Sequence, residues 1–184
     1  MTLKFITGNT NKYDEATKIL SNIEEIEQIY IDLDEIQSMD SKEIIKHKLE
    51  QAKKYEKNNF FVEDTSLNLL CLNGFPGPLI KWLYKKIGIQ GIYELCKKYE
   101  NYEATATITI GYLDKNNEEH YFEGKVAGKI VSPRGNNGFV WDNIFMPKEH
   151  KKTYAEMTKE EKNKISPRKI ALEKLKNHLR KESE

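Results

Sequence analysis

Leu3-Lys4-Phe5-Ile6-Thr7-Gly8-Asn9-Thr10-Asn11-Lys12 decides the fold class, because the pattern changes twice within it. Leu3 to Thr7 reads as a short β-strand, and Gly8 to Asn11 is turn-forming. Ala16, Ile19 and Leu20 then fall on one face of a helix. Strand, tight loop and helix open an α/β unit. Working outward, Ile26 to Leu33 alternates like a second strand, and Ser41 to Tyr55 carries Ile44, Ile45, Leu49 and Ala52 at helical spacing. Phe60-Phe61-Val62 reads as a short buried strand ending in Glu63-Asp64-Thr65. Gly74 to Pro78 is too rich in breakers for regular structure, and helical stretches follow at about 79–87 and 92–99. Ala104 to Ile110 is β in composition, and Asn116-Asn117 turns it into 119–124 as a hairpin. Lys129-Ile130-Val131 suggests one more strand before the loop 132–138. Thr158 and Glu161 have capping-box spacing, and Ser166-Pro167 puts a cap directly before a proline at the first position of a last helix. The pattern predicts an α/β domain with a mixed sheet flanked by helices.

With 184 residues and no linker, repeat or low-complexity tract, residues 1–184 are expected to form one domain. Basic and acidic residues, 30 against 29, leave a net charge of +1. That gives a phosphate backbone or an anionic membrane nothing to exploit, so neither nucleic acid nor membrane is expected as a partner. The N-terminus lacks a signal-peptide pattern and no apolar run is long enough to span a bilayer, so a cytoplasmic location is expected. Cys71 and Cys96 form no C-x-x-C motif and read as reduced thiols. His47, His120, His150 and His178 show no metal-ligand spacing and read as solvated surface residues. Only three arginines occur, Arg134, Arg168 and Arg180; either demands for a planar donor converge there or a lysine-favouring codon bias sets the count.

Thr7 to Lys12 suits an anion site, since helix-start N–H groups, the helix dipole and an ammonium converge on it. Taken alone, the same residues read first as an ordinary helix cap, and no Walker loop is present. Glu63-Asp64-Thr65 places carboxylates where α/β sheets bind ligands, with oxygen donors suited to Mg²⁺ beside phosphates; a solvated strand end is the alternative. Asp34-Glu35 could add a carboxylate or simply be surface. Phe139-Val140-Trp141-Asp142 follows a glycine-rich loop and could stack on a nucleobase or anchor that loop on the core. Lys81-Trp82, Lys162 and Arg168 carry the same two readings, ligand contact or exposed helix face.

The order of these segments resembles the inosine triphosphate pyrophosphatase family, the Ham1-like noncanonical purine nucleoside triphosphatases, and more closely its eukaryotic branch. The matching segments are TGNTNK at 7–12, VEDTSL at 62–67, GFPGPLIKW at 74–82, SPRG at 132–135, FVWDNIF at 139–145 and TYAEMTKEEKNKISPRKIAL at 153–172. The resemblance implies an elongated ITPase-like α/β fold, two lobes around a nucleotide cleft with a mixed, curved sheet, and a homodimer. It implies hydrolysis of ITP, dITP and XTP to the monophosphate and pyrophosphate. Thr7, Gly8, Asn9, Thr10, Asn11 and Lys12 would cradle the triphosphate, and Glu35 and Asp64 would hold Mg²⁺, for which Mn²⁺ could substitute. Asp64 would also position or deprotonate the attacking water, with Lys12 and Glu63 completing the catalytic set. Glu63, Thr65, Lys48 and Lys81 would surround the phosphates. Phe139 and Trp141 would enclose the base beside Val140 and Pro167, and Asp142, Lys162 and Arg168 would supply its polar contacts.

Three departures fall in the base-binding motifs. Val140 stands for the usual glycine of F-G-W-D, Asn143 for the proline after it, and Pro167 for the histidine of S-H-R. A β-branched residue does not freely take glycine's backbone angles, whereas proline suits a helix start. Three readings follow: a pyrophosphatase of near-family specificity, one of shifted or relaxed specificity, and a non-catalytic nucleotide binder.

Overall fold

The computed structural model describes residues 2–138 and 140–182. Its strands are β1 (Leu3–Ile6), β2 (Ile26–Ile29), β3 (Phe60–Leu69), β4 (Pro76–Gly77), β5 (Glu103–Leu113), β6 (Glu119–Ile130) and β7 (Phe145–Pro147). They form a mixed sheet in the order β2-β1-β3-β5-β6-β7, with β4 paired to β3. The α-helices are α1 (Thr10–Leu20), α2 (Ser41–Ala52), α3 (Ile80–Lys98), α4 (Lys159–Ile165) and α5 (Pro167–Glu182). By its contacts the chain forms two discontinuous units, residues 1–64, 108–124 and 168–184, and residues 65–107 and 125–167.

In the first unit β1 is parallel to both β2 and β3. Side chains alternate across a strand, so each strand supplies two faces. Leu3, Phe5, Phe61, Ile108, Ile110 and Tyr112 pack with Ala16 and Leu20 of α1 and Ala171, Leu172, Leu175 and Leu179 of α5. Ile6, Phe60, Val62 and Leu113 turn the other way, onto Ile45, Leu49 and Ala52 of α2. A Cβ at Gly111 would lie 2.3 Å from Ile45 Cγ2, so α2 packs close only because that position lacks one.

The second unit has its own core of Leu67, Leu69, Ile80, Ile92, Ala104, Ile130, Trp141, Phe145 and Tyr154 among others. Here β4 is antiparallel to β3, and β7 to β6. The two expected helical stretches are one element, α3, interrupted at Gly88 (φ 68°, ψ 177°). Thr158 and Glu161 form the predicted capping box, and α5 begins at Pro167 directly after Ser166. Other elements differ from the expectation: Ile31 and Leu33 lie beyond β2 yet still pack on the core, Lys129-Ile130 is the end of β6, β7 was not expected, and the breaker-rich stretch 74–78 holds the short strand β4, kept regular by its pairing with β3. Among the described residues no helix is long and apolar enough to cross a membrane.

Candidate active site

The strand expected to end at Glu63-Asp64-Thr65 instead runs on to Leu69, and the two acids sit in its middle on opposite faces. Each is met there by cations. Glu63 shares the α1 and α5 face: Lys12 Nζ lies 2.9 Å from Oε1, and Arg168 donates from Nη2 to Oε1 at 2.9 Å and from Nε to Oε2 at 3.0 Å. The other arm of Arg168, Nη1, donates to Glu15 Oε2 at 2.8 Å. Burial pushes the Glu63 carboxyl up, but the Arg168 and Lys12 charges outweigh it and hold the group at about 2. Arg168 is raised further above its ordinary value: burial opposes the charge, and Glu63 and Glu15 overcome that opposition.

Asp64 shares the α2 face. Lys48 Nζ donates to Glu35 Oε1 at 2.8 Å and to the Glu63 carbonyl at 3.2 Å, and lies 3.6 Å from Asp64 Oδ1. Asp64 Oδ2 is buried without a hydrogen-bond partner. Burial raises the Asp64 carboxyl; Lys48 pulls it down, and Glu35 pushes it back up. A buried oxygen that lacks a donor costs free energy unless a cation takes it up. Glu35 and Asp64 are hard oxygen donors that already share one cation, and their chemistry fits a divalent ion such as Mg²⁺.

The loop into α1 is more self-contained than an open anion cradle. Asn9 caps the helix, its Oδ1 accepting from the amides of Asn11 at 3.0 Å and Lys12 at 3.3 Å, and Thr7 Oγ1 accepts from the Asn9 amide at 3.1 Å. A phosphate at this helix start competes with the Asn9 side chain for those two amides. Gly8 is exposed, with open space where a Cβ would stand, and Thr10 and Asn11 are also exposed.

The remaining expected residues belong to the second unit, apart from Phe139, which lies outside the described residues. Thr65 Oγ1 is buried without a partner. Lys81 is exposed, its Nζ 5.8 Å from the ring of Trp82. Val140 keeps a left-handed backbone, φ 53°, so the chain follows a glycine-like path at the cost of strain in a β-branched residue. Trp141 is a core residue, edge-on to Phe145 at 5.5 Å. Lys162 donates to the buried Asp142 at 2.6 Å and lies over the Tyr154 ring. Asn143 Nδ2 donates to the Gly135 carbonyl at 2.8 Å, a tie that a proline could not make. Pro167 is buried at the α5 start.

Two residues were missed in the sequence. Glu15 lies one turn along α1 from Lys12, a spacing that does signal a shared face. Tyr154 carries no local signal.

Carboxylates on both faces of one strand, met by lysines from two helices, define an α/β protein with a dense cluster of paired charges in its first unit. The model of the Ham1 family matches residues 3–178, and the chain belongs to that family. It is 41% identical over 179 residues to the inosine triphosphate pyrophosphatase of Schizosaccharomyces pombe, covering 97% of this chain and 95% of that one. Identity to the inosine triphosphate pyrophosphatase of Kluyveromyces lactis is 42% over 182 residues, covering 95% and 94%. Among solved structures, a HAM1 protein from Coxiella burnetii is similar with a TM-score of 0.86 at 27% identity, covering 98% and 99% of the two chains.

Proposed function

We propose that this chain is a nucleoside triphosphate pyrophosphatase, one ITPase-like domain over residues 1–184, that hydrolyses ITP, dITP and XTP to the monophosphate and pyrophosphate. The observation that carries this reading is Asp64, whose partnerless buried oxygen stands beside Lys48 and Glu35 and one residue from the Lys12-bound Glu63. Asp64 and Glu35 would hold Mg²⁺, or Mn²⁺ in its place; when bound, the ion supplies charge neutralisation to the phosphates and the leaving pyrophosphate. Lys12 and Lys48 meet the phosphate charge, about four units near neutral pH, from fixed positions. Asp64, ionised, orients the attacking water and accepts its proton. Glu63 holds Lys12 in place, and Arg168 holds Glu63.

Lys81 and Thr65 complete the phosphate contacts in this reading, and Phe139, Val140, Trp141, Asp142, Lys162 and Pro167 the base contacts. Arg168 Nη1 rests on the partly exposed Glu15, so this is the arm that a purine O6 would take over. Hypoxanthine and xanthine offer an acceptor there and adenine does not. The glycine-like backbone at Val140 favours near-family specificity. Large apolar side chains left exposed in the second unit, Leu70, Phe75, Trp82 and Ile87, support a homodimer, which sedimentation of the protein and of Trp82→Glu would test. We place the enzyme in the cytoplasm.

Hydrolysis of ITP in ¹⁸O-water tests the reaction. Label is expected in inosine monophosphate with unlabelled pyrophosphate, and no turnover by Asp64→Asn. Release of labelled orthophosphate, or full activity in the variant, would overturn the assignment.

A further inference from the structure

His120 and His178, expected as separate surface residues, meet in the first unit with ring centroids 4.2 Å apart. One comes from the β5–β6 hairpin and the other from α5, 58 residues later. Glu182, one turn beyond His178, joins them, and one ligand atom from each of the three lies within 4.8 Å of the others. His178 Nε2 is buried without a hydrogen bond, although Glu182 Oε1 stands 3.3 Å away. The two make no hydrogen bond at that separation, and it is the edge of a tetrahedron whose bonds measure about 2.0 Å, the length Zn²⁺ makes to imidazole and carboxylate.

The outer groups are also in place. Asp114 Oδ2 lies 3.0 Å from His120 Nε2, and its Oδ1 accepts from the amides of Asn116 and Glu118, both at 2.8 Å. With the ring proton held on Nε2 by Asp114, the imidazole would be fixed and its lone pair left on Nδ1 for the ion, the arrangement found behind metal-bound histidines. Tyr112 Oη reaches Glu182 Oε2 at 3.2 Å, which leaves Oε1 toward His178.

We propose that His120, His178 and Glu182 form a site for a borderline transition ion of the Zn²⁺ class, separate from the Glu35–Asp64 pair, with one coordination position left to water. The ion fastens the last turn of α5 to the hairpin, and α5 is the helix whose first turn carries Arg168. The site is structural and takes no part in hydrolysis.

The test is calorimetric titration of the intact chain with Zn²⁺ under saturating Mg²⁺, repeated with Co²⁺ read by its visible absorption. Wild type and Asp64→Asn are both expected to bind one Zn²⁺ with a tetrahedral Co²⁺ spectrum. His120→Gln and His178→Gln are expected to bind at least ~100-fold more weakly, and Glu182→Gln, at the exposed helix end, ~10–100-fold more weakly. Bound Zn²⁺ is expected to raise the melting temperature of wild type by roughly 5–10 °C at a hundredfold excess over Kd, and not that of the histidine variants. Absence of binding, the same isotherm in all variants, or loss of binding in Asp64→Asn alone would overturn the proposal.

Discussion

Replacing Glu63 by Gln removes the negative centre of the Lys12–Glu63–Arg168–Glu15 cluster while keeping its shape. In the folded protein the carboxyl is held at about 2 against an ordinary value of 4.5. A difference of that size, at about 1.4 kcal/mol per pH unit, corresponds to about 3 kcal/mol of stability at neutral pH. Loss of a buried charge partner gives about the same, 3–5 kcal/mol. Because the folded value lies below the unfolded one, this contribution is full above pH 4.5 and is lost as pH falls toward 2. Urea unfolding of the two proteins is therefore expected to differ by about 3 kcal/mol at pH 7 and by only about 1 kcal/mol at pH 3. A difference below about 1 kcal/mol at pH 7, or one that grows on acidification, would refute the idea that two cations hold this carboxylate ionised.

Asp64 points the other way. Its raised carboxyl means that ionisation costs the metal-free fold at neutral pH, so Asp64→Asn should melt higher than wild type in EDTA, a gap that closes or reverses in Mg²⁺. The acid limb of the activity profile should lie above the ordinary aspartate range at limiting Mg²⁺ and move down as Mg²⁺ is raised, as steady-state kinetics against pH would show. Val140→Gly relieves left-handed strain of about 1–2 kcal/mol but loses rigidity and side-chain packing, so its chemical denaturation should shift by less than about 1 kcal/mol. Gly135→Ala has no such balance: at φ 80° its Cβ would lie 2.5 Å from the Ala155 carbonyl carbon, and a loss of more than about 2 kcal/mol is expected by the same measurement.

What the sequence made legible was local. The strand–loop–helix at Leu3 to Leu20, the Thr158 capping box and the proline start of α5 are written in adjacent residues, and each stands as read. Carboxylates were located too, but read as a strand end, because nothing near them in sequence announces the cations that let a strand carry acids through its middle. Those cations come from α1, α2 and α5, and Arg168 lies 105 residues from Glu63. Cys71 and Cys96 remain free thiols, yet the fold sets their sulfurs 3.8 Å apart, and burial followed by the neighbouring sulfur pushes Cys96 up to about 12. His120 and His178 were separated for the same reason: residue spacing reveals a cluster only when one element supplies it.

Pyrophosphate release in Mg²⁺ from ITP, XTP, dITP, GTP, ATP and dUTP, with Asp64→Asn as the blank, tests the proposed activity most directly. Strong preference for ITP, dITP and XTP with a dead variant is the expected result. Silence on every nucleotide, or turnover that survives the substitution, would contradict it.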